Sequence, residues 1–165
     1  MVLILMGVAG SGKTTVGRRL AERIGCPFYD GDDFHSAGNR AKMAAGKPLS
    51  EQDRAGWIAD LSRSVRFWNR EGPLTVLACS ALRRKHRELL AGEGGVLWVY
   101  LKISPDLAAK RLLERRGHFF HPALLASQFD TLEAPEGAWV VDVSRNVDTI
   151  VGELEKKLRD ANVLR

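Results

Sequence analysis

Apolar residues gather in short runs, and between the runs the apolar positions recur every three to four residues. Val2 to Leu5 reads as a short buried strand, and Leu74 to Cys79 and Val96 to Leu101 are nearly continuous, the mark of central parallel strands covered on both faces. Pro27-Phe28-Tyr29 and Trp139 to Val143 supply two more strands. Val16, Leu20 and Ile24 give a first helix face that ends at Gly25. Ser50-Glu51-Gln52-Asp53 resembles a capped helix start, followed by the apolar face Trp57, Ile58, Leu61, Val65 and Trp68 and a stop at Gly72-Pro73. Ser104-Pro105 opens another helix, with Leu112 and Leu113 predicted to face inward. Val147, Ile150, Val151, Leu154 and Leu158 define the last. This alternation predicts a single α/β domain over residues 1–165, with a five-stranded parallel sheet between helical layers and right-handed crossovers. Periodicity does not give the strand order.

The first strand breaks into Gly7-Val8-Ala9-Gly10-Ser11-Gly12-Lys13-Thr14-Thr15, which fits G-x-x-x-x-G-K-[ST] completely. In such a loop the glycines let backbone N–H groups turn toward a phosphate chain, and the following helix offers its positive end to the same anion. Lys13 adds charge for the β- and γ-phosphates, and the Thr14 hydroxyl suits Mg²⁺. The second strand runs into Asp30-Gly31-Asp32-Asp33, at the sheet edge where α/β folds bind ligands. Three carboxylates there would face the loop, against the plainer reading of an Asp/Gly turn.

Composition narrows the partners. At 165 residues, 45% hydrophobic and 27% charged, the chain is an ordinary globular size and make-up. No run approaches the roughly 20 apolar residues of a membrane span, so a cytoplasmic protein without a membrane partner is expected. Cys26 and Cys79 form no C-x-x-C pair. A net charge of +5 admits either nucleic acid or anionic metabolites. The densest basic run, Arg83-Arg84-Lys85-His86-Arg87, follows a buried strand without interleaved aromatics, which favours metabolites over nucleic acid. No N-K-x-D motif supports a guanine switch.

Several blocks together resemble the small gluconokinases, relatives of shikimate and nucleoside monophosphate kinases: MGVAGSGKTT, YDGDDFH followed by NRAKMAAGKPLSEQDR, CSALRRKHR, and RGHFF followed by SQFDTLEAP. The likeness spans essentially the whole chain. It implies a three-layer P-loop kinase fold with strand order 2-3-1-4-5, a substrate-binding segment at 31–48 and a mobile lid over 111–135. It further implies transfer of the ATP γ-phosphoryl group to the C6 hydroxyl of D-gluconate, with Mg²⁺, and a homodimer, as related enzymes often are. Another small acceptor, such as shikimate or a nucleoside monophosphate, is the alternative; shikimate kinases usually carry a glycine triplet where this chain has Ser80-Ala81-Leu82-Arg83.

Read onto this chain, the resemblance makes Lys13, Asp30 and Arg115 catalytic, with Asp30 orienting the acceptor hydroxyl, accepting its proton late or holding a metal-bound water. ATP would be held by residues Gly7 to Thr15 and Arg111, and the metal by Thr14 and by Asp30, directly or through water. Asp32, His35, Arg40, Arg83, Arg87 and His118 would bind substrate, the arginines taking the carboxylate and the short acceptors the hydroxyls. A flap around Gly117 to Pro122 would bring Arg111, Arg115 and Arg116 to the transferring phosphate. The third strand ends in Cys79-Ser80, where many P-loop NTPases carry a metal-binding aspartate, so Asp30 bears more of that role. Gln128 matches the family block with its role open, and Ser144 to Val147 would border adenine by the same analogy.

Overall fold

The central strand β1 (Val2–Met6) is buried at every position, as a continuous apolar run between two helical layers requires. The computed structural model describes residues 1–115 and 121–164. In chain order, β1 is followed by α1 (Lys13–Ile24), β2 (Phe28–Asp30), a 3-10 turn (Gly31–Phe34), α2 (Ala37–Ala44) and α3 (Glu51–Glu71). Then come β3 (Thr75–Ala78), α4 (Arg84–Ala91), β4 (Val96–Lys102), α5 (Pro105–Glu114), α6 (Pro122–Thr131), β5 (Trp139–Asp142) and α7 (Val147–Asp160). The five strands form one parallel sheet in the order β2-β3-β1-β4-β5. The fold is therefore the three-layer P-loop kinase arrangement that the resemblance implies.

Strand alternation divides the core in two. Leu3 and Leu5 meet Val16 and Leu20 of α1 and Ile150 and Leu154 of α7 on one face. Val2, Ile4 and Met6 meet Trp57, Ile58, Leu61 and Val65 of α3 and Leu90 of α4 on the other. The start of α3 is a reciprocal capping box between Ser50 and Asp53, and Gly72 ends it. One expectation fails: Leu112 is 8% exposed but Leu113 is 84% exposed. The inward stripe of α5 is Ala108 and Leu112, four residues apart, and Leu113 lies a further ~100° round the helix. Among the described residues no helix is long and apolar enough to cross a membrane.

Candidate active site

β1 and β3 deliver the loops at their carboxyl ends to one cleft. Gly10 has φ 81°, and a Cβ there would stand 2.9 Å from the Ala108 carbonyl oxygen, so the turn admits only glycine. Gly12, at φ 91°, occupies the N-cap of α1 and brings no side-chain cap. By contrast, Ser36, Ser50, Ser104 and Asn146 cap α2, α3, α5 and α7 through side-chain oxygens. The first-turn amides of α1 are thus left for an anion. Lys13 Nζ donates to the Val8 carbonyl at 2.9 Å across the loop. Burial lowers the Lys13 ammonium below its ordinary value, with Asp32 the main opposing influence.

Beside the loop, Asp30 is held at both oxygens: Thr14 Oγ1 donates to Oδ2 at 2.7 Å and the Asp32 amide donates to Oδ1 at 3.0 Å. Asp32 is turned into the cleft with part of its surface open, yet the surrounding walls thin its hydration and raise its pKa, against the pull of Lys13. Asp33 is not part of this lining, so two of the three expected carboxylates meet the loop.

The 3-10 turn carries His35 over the indole of Trp57, with ring centroids 4.3 Å apart, while Trp57 Nε1 donates to the Gly31 carbonyl at 2.8 Å. Asn39 Nδ2 lies 3.3 Å from His35 Nδ1 and donates to the Asp53 carbonyl at 2.8 Å. Burial, with Arg40 and Arg54 adding repulsion, pushes the His35 ring down to about 4. The cationic side is organised by Glu51, which pairs with Lys85 at 2.5 Å, Arg83 at 2.9 Å, His86 at 3.3 Å and Arg54 at 3.6 Å. The Lys85 hydrogen bond is the largest of the influences that hold Glu51 down at about 2.

The cleft thus brings together Ala9, Gly10, Gly12, Lys13, Thr14, Asp30, Asp32, His35, Arg83 and Arg115 from the sequence-derived set. Gly7, Val8 and Ser11 form the buried back of the loop, and Thr15 faces outward on α1. Three arginines go elsewhere. Arg87 is buried and donates to the Ala81 and Leu82 carbonyls at 2.9 and 3.0 Å, because its place on α4 points it under the loop after β3. Arg40 donates to the Asp33 carbonyl at 2.9 Å, and Arg111 donates to the Val143 carbonyl. His118 and Arg116 lie outside the described residues.

Sequence reasoning missed Arg54 and His86 as cleft residues and took Trp57 only as core. Arg54 stands three residues before Trp57, so helical spacing already placed it on the same face. Nothing local signalled Glu51, whose four partners come from two helices and a loop. Gln128 lies on α6, and its Oε1 accepts the Ala9 amide at 2.7 Å.

Chemically, the cleft offers an anion-binding loop, two adjacent carboxylates and a cluster of guanidinium groups. Comparison with known proteins agrees in kind. The family model for shikimate kinase matches residues 9–134. A probable gluconokinase of Xenopus tropicalis is 42% identical, covering 94% of this chain and 92% of the relative. The thermoresistant gluconokinase of Escherichia coli K12 is 36% identical over 91% of this chain and 89% of its own length. The crystal structure of a gluconokinase from Sinorhizobium meliloti 1021 superimposes with a TM-score of 0.82 at 40% identity, covering 92% of this chain and 87% of that one. A shikimate kinase from Acinetobacter baumannii, at 19% identity and TM-score 0.56, shares the fold alone. With the phosphate loop, the strand order and these full-length likenesses in agreement, the chain belongs to the gluconokinase family, built on the P-loop kinase fold.

Proposed function

We propose that this protein transfers the γ-phosphoryl group of ATP to the C6 hydroxyl of D-gluconate, giving 6-phospho-D-gluconate. The observation that carries the reading is a single cleft lined by Gly10, Gly12, Lys13 and Thr14 for the triphosphate, Asp30 and Asp32 beside them, and Arg54 and Arg83 for an anionic acceptor.

The residues suit Mg²⁺. The Thr14 hydroxyl and Asp30 carboxylate form a pair of hard oxygens, and among the described residues no group of three or more His, Cys, Asp or Glu could hold a metal ion. Thr14 and Asp30 would supply the one or two protein oxygens that suffice for a Mg²⁺ entering with ATP. When bound it would neutralise charge on the phosphates.

Asp30, fixed at both oxygens, serves the metal side together with Thr14. Asp32 lines the cleft beside Asp30, in place to orient the C6 hydroxyl and take its proton late in transfer. Lys13 and Arg115 supply positive charge to the phosphoryl oxygens. Arg54 and Arg83, held by Glu51, take the gluconate carboxylate, and His35 holds a hydroxyl. Arg111, tied to Val143, steadies the loop from Ser144 to Val147 beside the nucleotide base. Residues 31–48 act as the substrate segment and 111–135 as the lid that excludes water.

The test is ADP release from Mg·ATP across D-gluconate, other sugar acids, shikimate and nucleoside monophosphates. Turnover should favour gluconate. A preference for shikimate, the acceptor suggested by the name of the matched family model, would overturn the assignment.

A further inference from the structure

The hydrogen bond between Gln128 of α6 and Ala9 of the phosphate loop constrains Gln128 more than position alone would. Because the Ala9 amide can only donate, the oxygen branch of the Gln128 carboxamide must face it, at 2.7 Å. The Nε2 branch is then the one left to the cleft, which Gln128 lines together with Ala9, Gly10, Lys13 and Arg115. Among the described residues no acceptor engages Nε2. The helix that presents it is well seated: Leu124 and Leu125 are buried, and the Glu133 amide just beyond it donates to the Leu82 carbonyl at 2.9 Å.

From this geometry we infer that Gln128 is a catalytic residue, its Nε2 donating a hydrogen bond to the phosphoryl group in flight. The inference rests on the phosphoryl-transfer reading above and adds to it a neutral donor fixed by the loop itself. As the bond from the γ-phosphorus to the bridging oxygen of ADP breaks and the bond to the acceptor oxygen forms, negative charge on the equatorial oxygens needs donors already in place. Gln128 gives up no proton in the step. It needs no reorganisation either, since Ala9 has already chosen its orientation.

Two substitutions separate this role from simple bracing. Gln128→Glu keeps an acceptor for Ala9 but replaces the donor with a negative charge, whereas Gln128→Met fills the same space and can do neither. Wild type and both variants would be compared for kcat with D-gluconate and Mg·ATP, with thermal melts to verify folding. The expected order is wild type, then Gln128→Met lower by roughly ten- to hundredfold, then Gln128→Glu lower still. Wild-type kcat in Gln128→Glu, with loss only in Gln128→Met, would show a brace and overturn the inference while leaving the proposed reaction standing. Unchanged kcat in both variants would overturn it equally. A wild-type protein that does not phosphorylate gluconate would sink the reaction and this role together.

Discussion

Between Gly7 and Thr15 the anion-binding wall of the cleft is made from nine consecutive residues, and much of what it offers is backbone. Across from it, Asp32, His35, Arg54, Arg83 and His86 come from three separate stretches of chain, and all but Asp32 rest on Glu51 or Trp57. The first wall depends on φ angles and on the start of a helix. The second depends on side chains such as Glu51 and Trp57, which position their neighbours without being the chemical groups of interest. Substitutions on the two walls should therefore fail differently.

The largest effect belongs to Lys13, whose charge the backbone of the phosphate wall cannot replace. Lys13→Ala should lower kcat by about 10³ or more, because charge at the transferring phosphoryl group is removed where it develops. The thermal midpoint should hold, since among the described residues that ammonium donates to the Val8 carbonyl alone and burial already works against its charge. Steady-state kinetics with circular dichroism melts would check both halves. Next comes Asp32→Asn, expected to lower kcat by roughly 10²-fold with the KM for ATP little changed. Asp30→Asn should show its deficit as a raised Mg²⁺ requirement. If the two variants behave alike, the division of labour between these carboxylates is wrong.

The same contrast explains what could be read from the chain alone. Local signals specified the phosphate wall, the strand runs and the capping box at Ser50, because each is written in neighbouring residues. Strand order came from resemblance. Arg83 and Arg87 looked equivalent in the run Arg83 to Arg87, yet one faces the cleft and the other turns beneath the loop after β3. Helix phase alone does not fix that difference, since the strand end and Ala81, at φ 42°, set where α4 begins. Gln128 was visible only as part of a block, because its partner lies 119 residues away.

Those two arginines give the third test. Arg83→Ala should raise the KM for gluconate roughly tenfold or more with kcat nearly kept, as loss of a charged ground-state contact requires. Arg87→Met should leave that KM alone and instead destabilise the fold by about 1–3 kcal/mol, because the Ala81 carbonyl loses its buried donor. For a chain of this size each kcal/mol lowers the thermal midpoint by roughly 2–4 °C. A rise in KM from Arg87→Met would put that residue back in the substrate site.

The last expected effect is a pH slope from His35. Its ring lies flat on Trp57 with Nδ1 toward the Asn39 amide nitrogen, and burial there, with Arg40 and Arg54 adding repulsion, pushes the folded ring down to about 4 from an ordinary 6.5. With Asn39 donating, Nδ1 is the acceptor and the proton of the neutral ring sits on Nε2. Between about pH 6.5 and 4 the unfolded chain binds the proton that the folded chain refuses. Stability from this group is therefore complete above pH 6.5 and falls as the pH drops toward 4. His35→Gln removes the titrating group and retains a short polar side chain. Thermal midpoints measured from pH 7 to 4.5 should decline less steeply in the variant than in wild type, and parallel curves would mean that His35 accepts a proton in the folded protein as readily as in the unfolded one.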